Sequence, residues 1–119
     1  MDRPETHERP VQIPAGPVTL DADLAVPEQS RGIVFFAHGS GSSRLSPRNR
    51  FVAAQLHEDR FATLLMDLLT RAEEAVDART AHLRFDIPLL AHRLVAATDW
   101  VLAQPEIGTL PIGYFGAST

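Results

Sequence analysis

Hydrophobic positions change their spacing several times along the chain, and each change marks an element. Val11-Gln12-Ile13 and Val18-Thr19-Leu20-Asp21-Ala22-Asp23-Leu24-Ala25-Val26 alternate apolar and polar residues on either side of Pro14-Ala15-Gly16-Pro17. A period of two around a proline–glycine break predicts two half-exposed antiparallel strands joined by a tight turn. Gly32-Ile33-Val34-Phe35-Phe36-Ala37 is apolar without alternation, as are Phe61-Ala62-Thr63-Leu64-Leu65-Met66 and, less fully, Ile112-Gly113-Tyr114-Phe115. Such runs predict strands covered on both faces.

Helical spacing fills the intervals. Ser46-Pro47 opens a helix with Phe51, Val52, Gln55 and Leu56 expected on its inner side. Arg71 to Leu83 predicts a short helix with Ala72, Ala75 and Val76 inward and Glu73, Glu74, Asp77 and Arg79 in solvent. Asp86 caps a helix carrying Leu90, Leu94, Ala97 and Val101, which ends at Gln104-Pro105. The order β-β-β-α-β-α-β predicts an α/β fold, a mostly parallel sheet with helices on both faces. Residues 1–10 read as a flexible leader before one folded unit over 11–119. Ligands of such sheets bind at the carboxyl ends of the strands, which directs attention to the loops after Ala37, Met66 and Phe115.

Composition narrows the function classes. The chain has 119 residues, 45% hydrophobic and 22% charged, with a formal net charge of −4. That balance suits a globular domain and lacks the basic excess of a nucleic-acid binder. No apolar run approaches the roughly 18 residues that span a bilayer, and the charged N-terminus does not resemble a secretory signal. Cysteine is absent, so there is no disulfide, thiolate zinc site or thiol nucleophile, and a cytoplasmic setting is the default. Nothing in the residues calls for a metal or cofactor.

Two loops carry chemistry. His38-Gly39-Ser40-Gly41-Ser42-Ser43 follows the third strand, where glycines let successive N–H groups converge on an anion or oxyanion. Gly116-Ala117-Ser118-Thr119 follows the fifth strand and reads as the front of a Gly-x-Ser-x-Gly nucleophile elbow. Either loop alone is a weak signal. Their order, with a helix-rich spacer between them, is the order an α/β-hydrolase requires.

Ile33 to Ser42, Met66-Asp67-Leu68-Leu69-Thr70, Arg84 to Leu90 and Gly113 to Thr119 together resemble the dienelactone hydrolase-like branch of the α/β-hydrolases. The resemblance runs from about Val11 to the end of the chain. It implies strand order 1-2-4-3-5-6-7-8 with an antiparallel second strand, and hydrolysis of a small ester or lactone. Ser118 stands where dienelactone hydrolase has cysteine, so the implied chemistry is that of a serine esterase with Ser118 as nucleophile. The implied oxyanion donors are the backbone N–H of Thr119 and that of Ser40 or Gly39, with His38 and Gly41 supporting the loop. The implied acid and histidine follow the serine, beyond Thr119. The resemblance therefore describes the N-terminal part of a hydrolase, inert alone, whose fifth strand is an open edge. A complementary C-terminal chain or a homo-oligomer is expected to cover that edge.

Two other readings of the same residues remain open. Gly39-Ser40-Gly41-Ser42-Ser43-Arg44 with Asp67 begins like a nucleotide-binding fingerprint, although Arg44 replaces the third glycine. A non-catalytic interaction fragment would use the open edge alone. Arg44, Arg48 and Arg50 read either as a solvated helix start or as cations for an acidic substrate. Asp67 is either a site residue or a local loop cap. His57, His82 and His92 read as surface residues.

Overall fold

A computed structural model describes residues 4–38, 46–80, 83 and 86–116. Eight elements follow one another: β1 (Thr6–Ala15), β2 (Val18–Pro27), β3 (Gly32–His38), α1 (Pro47–Glu58), β4 (Phe61–Asp67), α2 (Arg71–Thr80), α3 (Ile87–Leu102) and β5 (Ile112–Gly116). The five strands form one sheet in the order β1-β2-β4-β3-β5. β2 is antiparallel to both β1 and β4, whereas β3 runs parallel to β4 and β5. The α/β architecture and the antiparallel second strand predicted from the sequence are both present.

The β1–β2 hairpin turns at Gly16, whose φ of +63° is cheap only for glycine, and Ala15 pairs with Val18 across it. One boundary differs from expectation. β1 begins at Thr6, so residues 6–10, expected within the flexible leader over 1–10, pair with the far half of β2 from Pro27 to Asp23. Their side chains are mostly exposed, which explains why the sequence shows polarity there. Backbone pairing needs no apolar side chain.

The period of two along β3 divides the core. Phe35 packs with Ile33, Leu64 and Met66 against the α3 side, where Ala97 and Val101 meet them. Phe36 points the other way and joins Leu65 and Ala53 under α1. α3 begins at Asp86, whose side chain accepts from the Leu89 N–H at 3.1 Å, as predicted. A glycine is required just after that helix. A Cβ on Gly108 would sit 2.7 Å from the carbonyl oxygens of Leu102 and Gln104.

Two inner faces differ from the prediction. On α1 the buried residues are Asn49 and Ala53, with Phe51 66% exposed. On α2 the expected inner residues Ala72, Ala75 and Val76 are exposed, whereas Asp77 is fully buried and Glu73 is partly covered. The reason is polar satisfaction. Asp77 Oδ1 accepts from the Leu83 N–H at 2.8 Å, and Glu73 meets a buried arginine of α3.

Candidate active site

The pairing register assembles the site's framework. His38 pairs with Asp67 across β3 and β4, and Ala37 pairs with Gly116 across β3 and β5. Neighbouring strands lie about 4.8 Å apart, so three carboxyl ends stand side by side with β3 in the middle. The glycine-rich segment leaves from β3 and the Gly-x-Ser segment from β5. Gly39 and Ser118 each stand two residues past the paired Ala37 and Gly116 in the sequence. Ser118, Thr119, Gly39, Ser40 and Gly41 lie outside the described residues. The described backbone of His38 ends β3.

Aromatic packing fixes the last strand against β3. Tyr114 meets Phe35 edge-on, with ring centroids 5.3 Å apart, and Phe115 lies 5.0 Å from Phe36 on the opposite face. Tyr114 OH and Thr98 Oγ1 of α3 are hydrogen-bonded at 2.8 Å. β5 is nevertheless the edge of the described sheet, and Tyr114 remains 55% exposed.

The segment after β4 is held more elaborately. Leu68 and Leu69 are buried anchors. Thr70 and Glu73 then form a reciprocal capping box. The Thr70 N–H donates to Glu73 Oε1 at 2.9 Å, and the Glu73 N–H donates to Thr70 Oγ1 at 3.1 Å. Arg93, only 4% exposed, forks onto both Glu73 carboxylate oxygens and donates from Nη1 to the Leu68 carbonyl at 3.0 Å. The Arg93 hydrogen bond holds the Glu73 carboxyl below its ordinary range. Glu74 is shifted the other way, upward, by burial and by the neighbouring Asp67 and Asp77. Sequence reasoning missed this cluster, although Thr70-x-x-Glu73 is a readable capping signature.

A second polar group lies elsewhere. A cavity of about 110 Å³ is bounded by Glu8, Asp23, Arg50, His57, Thr63 and Leu65, among others. Thr63 stands four residues before the carboxyl end of β4, roughly 13 Å from that edge at strand rise. With Leu65 two residues from that end, the cavity lies along the sheet face below the strand ends. Arg50 is engaged there by Asp23 at 2.6 Å and Glu8 at 3.4 Å, which argues against its serving an acidic substrate. His57 is half-buried, its Nε2 hydrogen-bonded to Thr63 Oγ1 at 2.7 Å, and is no simple surface residue. Burial lowers its pKa, with Glu8 opposing.

That shift has a testable sign. The folded state holds His57 neutral more firmly than the unfolded chain does. Its contribution is complete above the ordinary value of 6.5 and is lost as pH falls through the lower folded value. Glu74 acts oppositely at the acidic end, because its raised pKa favours the folded state when protonated. Replacing His57 with Gln retains a hydrogen-bonding partner for Thr63 and removes the titration. The gain in melting temperature between about pH 5 and pH 7 should shrink in His57→Gln. An unchanged gain would mean that His57 titrates alike in both states.

Among the described residues no helix is long and apolar enough to cross a membrane, and no group of His, Asp and Glu has the arrangement of a metal site. No family model matches the chain. Among solved structures, dienelactone hydrolase from Anabaena variabilis superposes with a TM-score of 0.90 at 57% identity, over 96% of this chain and 53% of that one. The chain has the N-terminal half of a dienelactone hydrolase-like α/β-hydrolase fold.

Est1E from Butyrivibrio proteoclasticus shares this hydrolase fold at 17% identity, with a TM-score of 0.73 over 92% of this chain and 40% of that one. Two Mycobacterium tuberculosis proteins, from strains CDC 1551 and H37Rv, are 55% identical over 116 residues. Their names propose a phosphoribosyl transferase. The match covers 98% of this chain and 25% of each of theirs. The chain therefore spans about half of the solved hydrolase and a quarter of these curated relatives.

Proposed function

We propose that Ser118 is the nucleophile of a serine hydrolase acting on small carboxylic esters or lactones. Its Oγ attacks the acyl carbon, the C–O ester bond breaks, and the alcohol leaves with a proton. Water then hydrolyses the acyl-enzyme, releasing the acid and restoring Ser118. The backbone N–H groups of Thr119 and of Ser40 or Gly39 meet the oxyanion, each donor contributing on the order of 3 kcal/mol. His38 and Gly41 support the loop that carries the second donor.

The observation carrying this reading is the Ala37–Gly116 pairing, which starts the two chemical loops from adjacent strand ends. The 57% identity to a dienelactone hydrolase supports the hydrolase class. In α/β-hydrolases the acid and histidine follow the serine in the chain. We assign them to polypeptide beyond Thr119 or to a partner chain, which also covers the outer edge of β5. Without that complement the 119 residues are inert.

Phosphoribosyl transfer is the second reading, favoured by the names of the mycobacterial relatives. In the hydrolase reading, that activity belongs to the three quarters of those proteins outside the match. Incubation of the protein, together with that complement, with a fluorophosphonate followed by peptide mass mapping separates the two. The expected result is one phosphonyl group on Ser118. An unmodified Ser118, together with diphosphate release from phosphoribosyl diphosphate that depends on Gly39 to Ser43, would overturn the proposal.

A further inference from the structure

We infer that Pro10 and Pro14 close the outer edge of β1 to sheet extension, so that a second copy of this chain cannot add a strand there. The inference stands on described backbone and is independent of the hydrolase reading.

The sheet order leaves β1 without a neighbouring strand on its outer side among the described residues. Such an edge offers a row of N–H and C=O groups to any other extended chain. The pairing with β2 fixes which residues form that row. The Glu28 N–H donates to the Glu5 carbonyl at 2.9 Å, and the register continues from there in steps of two to Ala15 and Val18. In an antiparallel ladder every second residue bonds inward, and the residues between turn their backbone groups outward. Thr6, Glu8, Pro10, Gln12 and Pro14 therefore face the open side.

Pro10 and Pro14 have no N–H, and each puts a ring methylene where the amide hydrogen would stand. An approaching carbonyl meets carbon at both places, and Gln12 is left as a single donor between them. A second copy pairing antiparallel about Gln12 would set positions 10 and 14 opposite each other, and neither residue of such a pair donates. Nearer the start of the strand, His7, Glu8 and Arg9 are exposed and ionisable, which opposes a dry pairing. The placement spares the fold. A proline at Val11 or Ile13 would remove a bond to β2, whereas at positions 10 and 14 that ladder keeps every bond. The opposite edge of the described sheet is built differently. β5, Ile112-Gly113-Tyr114-Phe115-Gly116, contains neither a proline nor a charge.

Pro10→Thr/Pro14→Thr in the full-length protein restores both donors and tests this. Sedimentation and hydrogen exchange at the Gln12 amide, each followed across a range of protein concentration, read the edge. In the unsubstituted protein Gln12 should exchange at one rate at every concentration. In the double variant association should appear as concentration rises, with Gln12 exchange slowing at least about tenfold. Adding Gln12→Pro to the double variant should abolish that association. Should the double variant fail to fold, Pro10→Thr and Pro14→Thr alone carry the test, each with a smaller slowing in the same direction. Gln12 exchange that slows with concentration in the unsubstituted protein overturns the inference. So do folded proline variants whose Gln12 exchange is the same at every concentration.

Discussion

Ser118→Ala is expected to reduce ester turnover by about a thousandfold or more while leaving the unfolding transition in place. The size follows from the division of labour in an acyl-enzyme mechanism. Removing the nucleophile eliminates the covalent route, and what survives is substrate binding and the oxyanion donors acting on direct attack by water. Fold stability should change little, because the substitution removes a single hydroxyl oxygen and keeps Cβ. The measurement is steady-state hydrolysis of an activated ester by the protein together with its C-terminal complement, beside a thermal melt. Retention of more than a tenth of the activity would show that a different group attacks. Loss of the melt would show that the residue is structural.

Phe35→Ala is expected to produce the largest loss of stability, about 3–5 kcal/mol. Phe35 is fully buried in β3, an interior strand of the described sheet between β4 and β5, among Leu64, Met66 and Ile33, and its ring supports Tyr114 of β5. Truncation removes transfer energy and leaves a cavity that neighbouring strands cannot close without giving up ladder hydrogen bonds. Against the 5–15 kcal/mol of an ordinary domain this is a large fraction. A urea melt should show the midpoint falling by on the order of 2 M. Phe51→Ala is the control, since that ring is 66% exposed and its removal should change stability by less than about 0.5 kcal/mol. Equal losses at the two positions would contradict the assignment of the core.

The contrast between those two phenylalanines shows what the sequence discloses. Phe35 stands in an uninterrupted apolar run that predicts a strand covered on both faces, as β3 is. The same expectation for Ile112-Gly113-Tyr114-Phe115 is not met, because β5 is the edge of the described sheet and Tyr114 and Phe115 are exposed. The sheet and its mixed directions were legible from three such runs, the alternating hairpin and the spacing between them. Phe51 stands in a helix with a mixed face, where the actual buried pair is Asn49 and Ala53. Periodicity assigns apolar residues inward by default. It fails where a small or polar side chain fits the sheet more closely.

α2 fails for a related reason. Glu73 and Asp77 look like a wet face because their partners, Arg93 and the Leu83 N–H, are 20 and six residues away in the chain. Only the Thr70-x-x-Glu73 capping box leaves a local mark; the contacts to Arg93 and to the Leu83 N–H depend on how the folded chain returns. The same holds for His57, whose partner Thr63 lies on the next strand. The candidate site was legible in a different sense. His38-Gly39-Ser40-Gly41 and Gly116-Ala117-Ser118 are recognisable as residue patterns, and the family resemblance implies the strand order that sets β3 beside β5. The residue-level register behind that adjacency, with Ala37 facing Gly116, comes from the folded chain alone.

A crystal structure of the fluorophosphonate adduct would examine the shared origin of the two loops most directly. Phosphorus should be bonded to Ser118 Oγ, with its free oxygen about 2.7–3.1 Å from the backbone nitrogens of Thr119 and of Ser40 or Gly39. A phosphoryl oxygen beyond hydrogen-bonding distance of those nitrogens, or an adduct on another residue, would contradict the account.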